Sequence, residues 1–109
     1  MLRTGKFITA LFLVAVFALS TATAAPAPVR EKMINHLLRH DCGSCHGMTL
    51  KGGLGPPLTA AALQETPLEA LIESITLGRP ENAMPPWGSI LTPVEIEWLA
   101  RQLKKGVQP

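Results

Sequence analysis

The chain has two cysteines and no more, Cys42 and Cys45. A structural zinc site wants four ligands, usually including a second Cys/His pair, and no further thiol is available to build one. Strand patterns are missing from residues 25–109. That removes the βαβ setting in which a C-x-x-C pair lowers a thiol pKa for disulfide chemistry. A surplus of one charge is missing too. Ten Lys+Arg face eight Asp+Glu, but Arg3 and Lys6 lie in the N-terminal leader, so residues 25–109 balance at eight against eight. A nucleic-acid footprint, which needs a basic patch or stripe, is therefore not expected. Nor is there a run as long as the roughly twenty apolar residues of a membrane span. The longest, Phe7 to Leu19, is broken by Thr9 and follows a positive stretch with Arg3 and Lys6. It ends at Ala22-Thr23-Ala24, a small-residue cleavage site. Residues 1–24 are thus expected to be a signal peptide and 25–109 a single exported domain.

What is present is Asp41-Cys42-Gly43-Ser44-Cys45-His46-Gly47. Two cysteines separated by two residues and followed at once by histidine form the attachment signature of c-type haem. Each thiol can add across a vinyl group, and the adjacent imidazole can bind iron. Cys42 and Cys45 are expected to hold one covalent haem c, with His46 as an axial ligand. Haem is joined to such motifs outside the cytoplasm, which fits the leader and implies a periplasmic protein. An 85-residue domain buries little core of its own and usually needs a staple. The haem would supply it, so the apo form is expected to be poorly folded.

The rest of the domain reads as all-α, three main helices plus short turns. Met33, Ile34, Leu37 and Leu38 share one face of a first helix from Glu31 to about Asp41, with Ala25–Val29 a tether and Gly43 a helix breaker. Residues 48–58, with three glycines and two prolines, read as loop, and Thr59–Leu63 as one helical turn. Thr66-Pro67-Leu68-Glu69 and Thr92-Pro93-Val94-Glu95 both read as capping boxes with proline at the first helical position. The stripe Leu68, Leu71, Ile72, Ile75 runs to a stop at Gly78, and Ile96, Leu99, Ala100, Leu103 to a stop at Gly106. Trp98 and Val94 lie off the second stripe, so the last helix is expected to bury two sides.

A second axial ligand must come from the opposite side of the ring. Met48 is too close to His46, His36 and His40 precede the motif on the same helix, and Met33 sits in the apolar stripe. Met84 follows two loops and a helix, and lies in Ala83-Met84-Pro85-Pro86-Trp87, where proline restricts the chain. A weak thioether–iron bond lasts best when the loop already holds the sulfur in place. Met84 is the expected second ligand.

In these features the chain resembles the class I cytochromes c: Cys42–His46, Gly55-Pro56-Pro57-Leu58, Ala83-Met84-Pro85 and a final amphipathic helix come in that family's order. Asp41–Leu50, Leu77-Gly78-Arg79-Pro80 and Met84–Gly88 are similar to the small cytochrome c-55X group. The resemblance implies the small class I fold wrapped around one haem, with the Pro56 carbonyl accepting a bond from His46. Arg79 and Trp87 could each pair with a haem propionate. The first helix lacks the glycine many class I members place at the crossing with the last helix, so Asn35 or Leu37 would serve there. A monomeric periplasmic one-electron carrier, not an enzyme, is the expected function. The resemblance further implies denitrification, with cytochrome cd1 nitrite reductase as redox partner. An accessory role in haem d1 maturation stands as one alternative. A ligand-binding or peroxidase-like protein with a displaceable Met84 is another. Lys51, Arg79, Lys104 and Lys105 are candidate docking charges.

Overall fold

The computed structural model describes residues 24–109. The leader assigned to 1–24 lies outside them but for its last residue. Among the described residues there is no strand, only a single bridge between Arg79 and Met84, and no helix long and apolar enough to cross a membrane.

The first helix starts earlier and ends later than the apolar stripe alone predicts. α1 spans Pro28–Leu37, with Ala27 as N-cap and proline in the first turn. Pro28 loses nothing there, since its missing N–H would have had no partner. The chain then tightens into no loop. It continues through a π-turn, Leu38–Cys42, and directly into α2, Gly43–His46. Gly43 does not break the helix. It keeps helical angles (φ −62°, ψ −25°), and its N–H donates five residues back, to Leu38 O. The stripe also narrows. Ile34 and Leu38 are fully buried, whereas Met33 is 41% exposed and Leu37 half-buried. Asn35 is exposed, so it does not form a helix crossing; the buried positions are the larger Ile34 and Leu38.

α3 spans Leu68–Leu77 and α4 Pro93–Lys105, and the two pack on each other. Leu71 and Ile75 meet Ile96, Leu99, Ala100 and Leu103 in one core, which Leu50, Leu63 and Leu91 complete from the loops. Trp98 leans against this core, but Val94 is 49% exposed, so the second side of α4 is buried at one position only.

The two Thr-Pro-x-Glu segments differ. At α4 the box forms in full: Thr92 Oγ1 accepts from Glu95 N–H at 3.3 Å, and Glu95 Oε2 from Thr92 N–H at 2.8 Å. At α3 it does not form. Pro67 itself is the N-cap, with ψ 144° and no side-chain cap, so Thr66 and Glu69 sit one position out of register for a box.

α4 is tied to the remaining elements at both ends. At its start, Arg30 from α1 grips Glu95 with Nε to Oε1 at 2.5 Å and Nη2 to Oε2 at 2.8 Å. Toward its end, Lys104 Nζ donates to Leu63 O at 2.8 Å and Thr66 O at 2.5 Å. Lys104 is thus an internal clamp and not a free docking charge.

Candidate haem-binding site

The helix that runs from α1 to α2 carries the motif. Cys42 closes the π-turn and Cys45 lies three residues on in α2, so both thiols project from one side of the helix. They form no disulfide. Burial, reinforced by the Asp41 carboxylate, pushes the Cys42 thiol up to about 11. A redox dithiol needs the opposite, a depressed pKa that supplies thiolate. The protein environment therefore disfavours that alternative for the C-x-x-C pair.

A glycine-rich return loop caps this helix and grips the histidine. Gly52 N–H donates to His46 O at 2.8 Å and Gly55 N–H to Cys45 O at 2.8 Å. His46 is buried, and its Nδ1–H donates to Pro56 O at 2.7 Å. With the proton on Nδ1, Nε2 keeps its lone pair. Nε2 has no protein partner among the described residues and is not sealed off from solvent. The loop can come this close only because residue 55 is glycine: a Cβ there would stand 2.9 Å from His46 Cε1 and Nδ1.

The second group of predicted residues gathers at the C-terminus of α3. Gly78 ends the helix at φ 69°, ψ −172°, and Pro80–Asn82 form one 3-10 turn. Arg79 N–H donates to Met84 O at 2.8 Å, and Met84 N–H to Arg79 O at 3.1 Å. The chain then runs back along α3, with Trp87 N–H on Ile75 O at 2.9 Å and Gly88 N–H on Thr76 O at 3.1 Å. Met84 and Trp87 are half-buried, and Trp87 packs against the same core as Cys42. Arg79 has a protein partner here: its Nη2 donates to Ser74 Oγ at 2.8 Å, with Glu81 4.0 Å away. The two groups share the core but no hydrogen bond among the described residues. His36 and His40 stand apart on the α1 helix and its π-turn, with exposed rings edge-to-face at 4.3 Å.

Three features of the site escape sequence reading. The π-turn leaves no residue signature. Ser74 is an ordinary helical serine until Arg79 is seen beside it. Gly55 was visible as a loop glycine, but its closeness to His46 was not.

The donor set suits a covalently held haem: two unpaired thiols on one helix face, an imidazole with a free Nε2 beside them, and a thioether on a braced loop.

Comparison with known proteins agrees. Residues 31–101 match the protein-family model "Cytochrome C oxidase, cbb3-type, subunit III". A cytochrome c55X of Stutzerimonas stutzeri is 47% identical over 91 residues, covering 84% of this chain and 80% of that protein. A cytochrome c55X of Paracoccus denitrificans is 45% identical over 96 residues, covering 87% and 93%. Among solved structures, the c-type cytochrome NirC superposes with a TM-score of 0.74 at 45% identity, covering 77% of this chain and all of its own. Dihydro-heme d1 dehydrogenase NirN superposes with a TM-score of 0.60 at 29% identity over 66% of this chain, but only 16% of NirN is involved. At these identities and coverages the chain belongs to the class I c-type cytochromes, in their c55X group, and like them carries a single covalently bound haem c.

Proposed function

We propose that this cytochrome is an exported one-electron carrier of the nitrite-reductase system. In this reading residues 1–24 are removed on export and 25–109 work in the periplasm. Cys42 and Cys45 form the thioether bonds, and His46 Nε2 and Met84 Sδ are the axial ligands. When bound, haem c supplies reversible Fe(II)/Fe(III) exchange.

The observation that carries the reading is the bond from His46 Nδ1–H to Pro56 O at 2.7 Å. It fixes the tautomer, aims Nε2 and strengthens the imidazole as a donor. The Arg79–Met84 bridge braces the loop that carries the sulfur. With both axial positions taken by the chain's own residues, no site is left for a substrate, which favours carriage over catalysis. A carrier docks through a small, transient interface. Lys51 and Lys105, both exposed, are free to contribute charge to it.

The link to nitrite reduction is what the resemblance to the cytochrome c-55X group implies. The similarity to part of NirN, a dihydro-heme d1 dehydrogenase, favours a second reading, electron exchange during haem d1 maturation. Two measurements sort these out. A His/Met ferric cytochrome shows a weak far-red charge-transfer band, and its ferrous form does not take up carbon monoxide. High-spin spectra with ready carbon monoxide binding would overturn the carrier and favour a ligand-binding protein. In a strain lacking this gene, slow nitrite reduction with normal haem d1 content supports the carrier. Absent haem d1 supports the maturation role.

A further inference from the structure

Met84 has no polar handle by which a neighbour could steer it. A thioether carries no N–H, and it accepts hydrogen bonds only weakly. Its position is therefore set by its main chain. Both main-chain bonds of Met84 go to one residue, Arg79, at 2.8 and 3.1 Å. Arg79 is the second residue after α3, and the Gly78 turn that precedes it leaves it outside the helix. Besides the Trp87 and Gly88 main-chain bonds that lay the end of this loop on α3, the Arg79 side chain ties its start to the same helix. Nη2 donates to Ser74 Oγ at 2.8 Å, and Ser74 Oγ in turn donates to Ala70 O at 2.8 Å. The serine hydroxyl is thereby fully directed: its proton points into the helix and its lone pair faces the guanidinium. The other neighbour of Arg79, the exposed Glu81, is only at ion-pair distance, 4.0 Å, where a solvated pair contributes little.

We propose that Ser74 and Arg79 are positioning residues for Met84: the Ser74 hydroxyl anchors the Arg79 side chain on α3, and the Arg79 main chain sets where the sulfur stands. The proposal rests on the reading of Met84 as an axial ligand. It differs from a role for Arg79 as a propionate partner, because in that role Ser74 would have no bearing on the ligand.

The test uses the haem-loaded protein and three variants: Ser74→Ala, Ser74→Thr and Met84→Ala. The readouts are the ferric far-red band, the affinity of the ferric protein for added imidazole, and the denaturant midpoint. The bond is to a charged group but solvent-exposed, so its loss should change a competing equilibrium by at most about tenfold. Ser74→Ala is expected to bind imidazole up to about tenfold more tightly, with the denaturant midpoint lowered by no more than the same lost hydrogen bond accounts for. Ser74→Thr, which keeps the hydroxyl, is expected to match wild type in both. Imidazole affinity unchanged in Ser74→Ala, with the band lost in Met84→Ala, overturns the positioning role alone. A band that survives Met84→Ala overturns the ligand reading and the positioning role together. A midpoint that falls in Ser74→Ala and Ser74→Thr alike, with no gain in imidazole affinity, makes Ser74 a packing residue and also overturns the proposal.

Discussion

The two sides of the proposed haem site are built by different means. His46 is held through its own side chain: Nδ1 is bonded to Pro56 O while two loop N–H groups cap the helix at Cys45 and His46. Among the described residues the hydrogen bonds of Met84 are both main-chain, in the bridge to Arg79. The contrast follows from the donors. An imidazole has two nitrogens, so one can be used to aim the other. A thioether offers only a weak acceptor to aim it by, so backbone placement does more to bring it to a chosen point. Glycines make both arrangements possible. Gly55 admits the loop to the imidazole, and Gly78, at angles open almost solely to glycine, folds the Met84 loop onto α3.

The change expected to break the comparison outright is Cys42→Ala/Cys45→Ala. Without the covalent haem the two sides lose the body that the proposed site puts between them. The 11 core hydrophobics are few for a domain this size. Circular dichroism should show most of the helicity gone. Native helicity in that variant would show that the polypeptide folds without the group and would remove the argument for haem as the staple.

Two glycine variants separate the sides next. A Cβ at Gly78 would stand 2.5 Å from Met84 O and would meet about 1–3 kcal/mol of backbone strain as well. Gly78→Ala is expected to weaken or abolish the far-red band while haem content stays normal. Gly55→Ala pushes on the imidazole ring and should instead reduce haem content, read as the ratio of haem to protein absorbance. If both variants lose the band and keep their haem, the two sides are not supported independently.

Sequence alone carried much of this, unevenly. The stops at Gly78 and Gly106 and the capping box at Thr92 are local signals, and each sits where its residues imply. The box at Thr66 fails although the same residue types recur. Its Thr66 carbonyl is taken by Lys104, which is 38 residues away in sequence, and the helix starts one residue late. Lys104 itself reads as a solvated terminal lysine, because nothing near it in sequence announces the two carbonyls from another segment. Gly43 reads as a breaker because glycine usually is one. In a π-turn its lack of a side chain is no obstacle, and the motif stays helical. The exposure of Met33 has a simpler origin. A stripe four residues wide has two edge positions, and Met33 is one of them.

The ties from α4 sharpen the comparison further. Lys104 fastens the segment that leads into α3, on the Met84 side. Lys104→Met keeps the apolar stem but leaves the carbonyls of Leu63 and Thr66 without their charged donor. It is expected to cost about 1–2 kcal/mol, measured by denaturant unfolding of the haem-loaded protein, with haem content unchanged. An unaltered midpoint would mean that water replaces the ammonium at no cost.

Arg30 and Glu95 fasten the motif side, and here the effect is smallest and depends on pH. The Glu95 carboxyl is held down from its ordinary 4.5 to about 2, first by the Arg30 hydrogen bonds and then by the Thr92 backbone N–H. A carboxyl depressed in the folded state stabilises it above the ordinary pKa, and that contribution is lost as pH falls through the folded value. Glu95→Gln keeps an acceptor for Thr92 N–H but removes the charge that faces Arg30. At pH 7 the variant should melt a few degrees below wild type. Between pH 4.5 and 2 the two melting curves should converge, since wild type then protonates the group whose charge the variant already lacks. A gap that stays constant across that range would place the stabilisation in side-chain shape and not in the ion pair, and the tie between α1 and α4 would then owe little to charge.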